Sequence, residues 1–211
     1  MNTVATPPLP AGRYATICAD PPWTFSVWSD KGKGRSAERH YDVMSLADIK
    51  ALPVGDIAAP DCALFLWAIN SMLPQAFGVI EAWGFTFRTV AFTWAKRVKS
   101  DTAWHMGLGY WTRQNSESCL LATRGKPKRV SKGERELIVA PRREHSRKPD
   151  EAYERIERLL PGPYLDLFSR QTRPGWTAWG NQPNHFESEQ HSIATKAMRR
   201  SEVNEKEGTL L

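Results

Sequence analysis

Tyr14-Ala15-Thr16-Ile17-Cys18-Ala19, followed at once by Asp20-Pro21-Pro22-Trp23, decides how the rest of this chain is read. The apolar, partly β-branched run predicts a strand. Two consecutive prolines then end it, because each fixes φ near about −65° and removes a backbone donor. The strand therefore delivers a carboxylate, two carbonyls and an indole to one rigid corner. Asp20 and the Pro21 carbonyl are acceptors for the two hydrogens of an exocyclic amine. Trp23 offers a flat face to a base taken out of its stack, where stacking on an aromatic ring is worth roughly 1–3 kcal/mol. A surface turn also favours Asp and Pro at these positions. The corner alone does not separate the two readings.

Outward from the corner, strands and helices alternate. Ser45-Leu46-Ala47-Asp48 opens a short helix in capping-box fashion, with Asp at the return position. Cys62 to Ala68 is continuously apolar, as in a strand covered on both faces. Met72 to Trp83 has helical spacing and stops at Gly84; Phe85 to Trp94 and Ser118 to Thr123 read as further strands. Pro149 to Leu160 is an amphipathic helix ended by Pro161-Gly162-Pro163, and Tyr164 to Phe168 is another buried strand. The alternation predicts an α/β fold with a mostly parallel, doubly wound sheet.

At 211 residues and 41% apolar content the chain suits one domain with a sizeable core. The expected organisation is a flexible start over 1–12, a catalytic domain over 13–183 and a charged tail over 184–211. Cys18, Cys62 and Cys119 lack metal-ligand spacing, so neither a zinc site nor a disulfide framework is predicted, and a reducing cytoplasm is the expected setting. No stretch reaches transmembrane length, and no membrane partner is expected. The net charge of +6 is concentrated in patches. Between Arg124 and Lys148, ten basic residues face three glutamates, which makes Lys126, Lys128 and Arg129 candidate phosphate contacts. Lys31, Lys33 and Arg35 follow the proline corner in a Gly- and Ser-containing loop, Lys96, Arg97 and Lys99 form a third cluster, and Trp104, Tyr110 and Trp111 in the Gly-bearing loop after it are candidate substrate contacts. Trp67, Trp83 and Trp94, within predicted strands and a helix end, are assigned to the core.

The Asp-Pro-Pro-Trp quartet resembles the signature of the adenine methyltransferase family typified by the catalytic subunit of the messenger-RNA adenosine methyltransferase. Three further stretches strengthen the likeness. Leu165-Asp166-Leu167-Phe168-Ser169-Arg170 is similar to the family's cofactor strand and turn, His145-Ser146-Arg147-Lys148-Pro149 to the Lys-Pro segment before it, and Trp179-Gly180-Asn181-Gln182 to its closing Gly-Asn-Gln. The catalytic corner precedes the cofactor strand, the circularly permuted order of such enzymes.

The resemblance implies a Rossmann-like fold dependent on S-adenosylmethionine and acting on the exocyclic nitrogen of adenine, with DNA favoured over RNA. It assigns Asp20, Pro21, Pro22 and Trp23 to catalysis, and Asp20, Asp166, Arg170, Asn181 and Gln182 to the cofactor. Tyr41 matches a Tyr-x-x-Met-Ser element in the loop over the site, and together with Arg113 and the basic clusters it is assigned to the substrate. No metal is implied. Three departures stand out: Ser116 replaces a cofactor-contacting lysine, Thr172-Arg173 replaces a His-Asn pair in a shorter turn, and an upstream Asp-Ile segment has no counterpart. An inactive nucleic-acid-binding partner and a cytosine amino-methyltransferase are the competing readings. Homodimer and heterodimer are both left open.

Overall fold

The computed structural model describes residues 7–23, 44–107, 109, 111–144 and 147–181. Lys31, Lys33, Arg35, Tyr41, Tyr110, Gln182 and the tail lie outside the described residues. Seven strands form one sheet: β1 (Tyr14–Ala19), β2 (Ala58–Ala68), β3 (Thr86–Arg97), β4 (Ser116–Arg124), β5 (Leu137–Pro141), β6 (Tyr164–Leu167) and β7 (Trp176–Trp179). Their order is β5-β3-β4-β2-β1-β6-β7. β1 is parallel to β2 and β6, β6 to β7 and β3 to β5, whereas β4 is antiparallel to both its neighbours. The helices are α1 (Leu46–Ala51), α2 (Val54–Ile57), α3 (Leu73–Ala82) and α4 (Asp150–Leu159). This is a Rossmann-like α/β fold with a mostly parallel sheet.

The apolar runs follow from a sheet covered on both sides. Along β2, Leu64 and Leu66 join the core cluster that holds Ile49 of α1 and Val79 and Ile80 of α3. Ala63, Phe65 and Trp67, on the opposite face, join Tyr153 and Ile156 of α4. A strand so enclosed has no side left for polar residues. Trp67, Trp83 and Trp94 are buried as expected, and the indoles of Trp83 and Trp94 donate to the carbonyls of Ile49 and Ala140, both at 2.9 Å. Ser45 caps α1: its hydroxyl accepts from Asp48 N at 3.1 Å and donates to Asp48 Oδ2 at 2.7 Å. The short Asp side chain thus returns to the hydroxyl of the cap. Before β1, Leu9 packs on the first cluster and the Pro8 carbonyl accepts from Trp179 Nε1 at 2.9 Å.

Strand direction sets up the site. Six strands point one way, so their carboxyl ends share an edge, and β4, running against them, begins there and ends at the opposite edge. In open α/β sheets ligands bind beyond the carboxyl ends. At about 3.4 Å per residue, the nine residues of β4 separate the two edges by roughly 30 Å.

Candidate active site

Asp20 leaves β1 beside the end of β6, its N–H donating to the Leu167 carbonyl at 3.3 Å. The proline corner behaves differently from the sequence expectation in two respects. The Pro21 carbonyl accepts from Trp23 N at 2.8 Å, and the Pro22 carbonyl accepts from Met44 N at 3.3 Å. Both acceptors are therefore engaged within the protein, and Pro21 O offers a substrate its second lone pair. Trp23 is 5% exposed, with its indole N–H on the Trp67 carbonyl at 3.1 Å. It holds the corner from beneath, so the stacking face assigned to it is spent on the core.

Four charged side chains from four segments meet at Asp20. Lys148 Nζ lies 2.6 Å from Asp20 Oδ2 and 2.9 Å from Glu117 Oε1, and Lys96 Nζ lies 2.6 Å from Glu117 Oε2. Lys148 and Glu117 are buried. Lys148 is also 5.5 Å from the Trp67 ring centroid, and Lys96 is 4.7 Å from that of Trp94. Burial alone would raise the Glu117 carboxyl, but Lys148 and Lys96 outweigh it and hold the group at about 2. Burial would likewise depress the Lys148 ammonium; Asp20 and Glu117 reverse the sign and raise it. For Asp20, burial pushes the carboxyl up against the opposing pull of Lys148. The two cations and two carboxylates balance, which is what permits charges at so enclosed a place.

A second cluster lies one strand away. Asp166 of β6 pairs in register with Cys18 of β1 and is buried beneath α4. Tyr153 Oη is 3.3 Å from both its carboxylate oxygens, and Ser169 Oγ is 2.8 Å from Oδ2. Burial pushes the Asp166 carboxyl up to about 7, against the Ser169 hydrogen bond and the Arg173 charge. After β6 the chain turns through Phe168 at φ 63, a left-handed value that costs a side-chain-bearing residue of order 1 kcal/mol. Ser169 N then donates to the Trp179 carbonyl at 2.9 Å. Gly180 permits this closure, since a Cβ there would come within 2.7 Å of the Ser169 carbonyl. Asp150 ties the two clusters together. Its carboxylate takes Arg173 on one oxygen and Arg143 on the other. Arg143 also donates to the Lys148 carbonyl, and the Arg173 guanidinium lies 3.8 Å from the centroid of the Tyr153 ring. Asp20, Lys148, Tyr153, Asp166, Ser169 and Arg170 line one cleft.

Residues 14–182 match the MT-A70 family. The chain belongs to that family. A type II methyltransferase, M.MunI, from Mycoplasma sp is 31% identical over 192 residues, which cover 82% of this chain and 79% of that protein. The N(6)-adenosine-methyltransferase MT-A70-like protein of Arabidopsis thaliana is 30% identical over 177 residues, 82% of this chain but 24% of the relative. The N(6)-adenosine-methyltransferase catalytic subunit METTL3 of Homo sapiens is 30% identical over 176 residues, 81% of this chain and 28% of the relative. The chain thus spans about a quarter of the adenosine methyltransferases it matches. As an MT-A70 protein it is an S-adenosylmethionine-dependent methyltransferase of the adenine N6 position.

In this MT-A70 fold Asp20, Asp166 and Arg170 line one cleft at the carboxyl edge, and Pro21 follows Asp20 in the corner beside it. Asn181 follows β7 but is exposed and outside the lining of the cleft that holds Asp20 and Asp166. Arg113 is exposed in the connection from β3 to β4 at the same edge. Lys126, Lys128 and Arg129 require correction. They follow the end of β4, where Lys126 N donates to Asp61 Oδ1 at 2.7 Å, the Arg124 guanidinium reaches the Gly55 carbonyl, and Val130 N donates to the Leu159 carbonyl at 2.8 Å. All of these belong to the opposite edge. The basic run is split because β5, absent from the sequence reading, carries the chain back across the sheet.

Lys148 belongs both to that basic run and to the Lys-Pro segment that resembles the family's, and only the second placement points to the site. Glu117 stands out less in the sequence, because its strand also carries Ser116, Ser118, Thr123 and Arg124. With Lys148 at Asp20, a lysine at position 116 is not needed to bring a cation to the corner. Cys18, Cys62 and Cys119 are free thiols, buried and raised by that burial, Cys62 to about 12, so none is a nucleophile here.

Proposed function

We propose that this MT-A70 protein methylates adenine N6 in DNA, with Asp20 and the Pro21 carbonyl as acceptors for the target amine and Asp166 as the anchor of the cofactor ribose. The observation that carries this reading is the Asp20–Lys148–Glu117–Lys96 array beside Asp166 at the sheet's carboxyl edge. The donor set fits the cofactor: a buried carboxylate at a strand end accepts ribose hydroxyls, and Ser169 and Arg170 stand next to it in the same cleft. When bound, S-adenosylmethionine supplies a methyl group already activated on a sulfonium. The chain's own task is to raise the nucleophilicity of an amine whose lone pair is delocalised into the adenine ring.

Asp20 does this by accepting an N6 hydrogen, which draws nitrogen toward tetrahedral geometry and stabilises the positive charge that develops on it. Lys148 fixes the carboxylate in place and opposes the effect of burial on it. Glu117 and Lys96 hold Lys148 where it is. Asp20 and Asp166 open on one cleft from adjacent strands, which sets amine and methyl donor side by side. After transfer the methylated amine is acidic enough to shed its proton to solvent.

DNA is favoured because M.MunI, a type II methyltransferase, is covered over 79% of its own length, whereas the adenosine methyltransferases are covered over about a quarter. Mass analysis of nucleosides from the DNA and RNA of cells expressing the protein tests this. N6-methyladenine should appear in DNA, and Asp20→Ala should lower it by about 10²-fold or more. Methylation confined to RNA would overturn the choice of DNA; undiminished methylation by Asp20→Ala would overturn the mechanism.

A further inference from the structure

We propose that Trp111 is a wedge that enters duplex DNA and occupies the place left by the target adenine when it swings into the Asp20 cleft; this rests on the DNA reading above. The connection between β3 and β4 springs from the carboxyl edge, and at its base Glu117 and Lys96 belong to the array around Asp20. It is a tied ribbon and not a slack loop. Lys96 N donates to the Asn115 carbonyl at 2.7 Å, His105 N to the Lys96 carbonyl at 2.9 Å, and Gly107 N to the Gln114 carbonyl at 2.9 Å.

The last of these bonds closes an excursion with Trp111 near its tip. Trp111 is 90% exposed, the highest value among the exposed large apolar side chains, and Met106 at 74% and Trp104 at 54% flank it along the ribbon. Such a concentration of exposed apolar surface beside a catalytic cleft marks a contact. Trp104 is less available than its exposure suggests, because Arg97 lies over its ring at 5.1 Å and pairs with it as a β-bridge. Lys99, Arg113 and Arg142 are exposed on the same edge, with Arg142 N donating to the Arg97 carbonyl at 3.0 Å. They supply cations for a phosphate backbone at the edge that carries Trp111.

The corner at Asp20 cannot receive an adenine that is still stacked and paired. Extrusion leaves a gap, and a side chain that fills it lowers the cost of the open state. The stacking that a tryptophan contributes corresponds to about 5- to 150-fold in rate or affinity. A single strand has no such gap, so the wedge matters only for duplex.

The test compares the protein with Trp111→Ala and Trp111→Phe on one circular phage DNA in its double-stranded and single-stranded forms, prepared from a host without adenine methylation. The expected result is a loss of about 10-fold or more in kcat/KM on the duplex for Trp111→Ala, a change under about 2-fold on the single strand, and near-complete recovery with Trp111→Phe. Once the methylated position is mapped, an abasic site opposite it should restore the alanine variant. Equal losses on both forms, or none on the duplex, would overturn the wedge while leaving DNA as substrate. Absence of transfer to either form by the unmutated protein would overturn the DNA reading, and the wedge with it.

Discussion

Replacing Lys148 by methionine keeps the length of the side chain and removes the charge that Asp20 and Glu117 share. Lys148 is 5% exposed, Glu117 8% and Asp20 22% as side chains, so the change leaves two carboxylates facing one another in a poorly solvated place. Removing one member of a buried pair costs about 3–5 kcal/mol. The low end applies here, because Lys96 remains 2.6 Å from Glu117 and Asp20 keeps some solvent. A loss of about 3 kcal/mol corresponds to a fall in Tm of roughly 6–12 °C at neutral pH for a domain of this size. The gap should close on acidification, for a reason that can be signed group by group. In the unmutated protein Glu117 is held at about 2, below its ordinary 4.5. Its contribution is therefore complete above pH 4.5 and is lost as pH falls toward 2. Without Lys148, burial and mutual repulsion raise the carboxyls of the pair, so the folded variant binds a proton before its unfolded chain does and gains stability as pH drops from 7 toward 4.5. Calorimetric scans of both proteins at pH 7 and pH 5 test this. A Tm difference that stays constant or widens at pH 5 would refute the account of the array as a balanced charge cluster.

Tyr153→Phe removes a hydroxyl 3.3 Å from both Asp166 oxygens; S-adenosylmethionine affinity, measured by titration calorimetry, should fall about 3- to 10-fold at pH 7. Because Asp166 sits at about 7 and must be ionised to accept ribose hydroxyls, affinity in the unmutated protein should rise with pH through 7, and the variant's profile should move to higher pH; a pH-independent affinity would remove Asp166 from the cofactor. Reversing Lys99 and Arg113 to Glu should weaken binding to all DNA sequences and flatten the dependence on salt, whereas the same reversal at Lys126, Lys128 and Arg129 should leave both nearly unchanged. Filter binding across a salt series decides between the edges. Asn181→Ala should leave the fold intact and lower cofactor affinity if its family role persists; an unchanged titration would confine that role to other residues.

The centre of the sheet was legible because β2 is covered on both faces. Cys62 to Ala68 could be nothing but buried, and the proline corner announced where β1 must stop. What local pattern could not carry was direction. β5 is only five residues long, Leu137-Ile138-Val139-Ala140-Pro141, an apolar run too short to announce a strand amid the arginines and lysines around it, and in the fold Leu137 and Val139 stay exposed while Ile138 is fully buried. Yet this strand decides which cations can reach the cleft. Without it, Arg124 to Lys148 reads as one phosphate-binding strip. With it, the first part of the run lies about one strand length from Asp20, and the last part folds inward until Lys148 is buried against the Asp20 carboxylate. Net charge along the sequence is thus a poor guide to where on the fold a nucleic-acid partner would lie. The stretch between β3 and β4 has a lower charge density, but both of its ends are rooted at the edge where Asp20 emerges, so on the proposed DNA reading Lys99, Trp111 and Arg113 are the side chains placed to meet the nucleic acid.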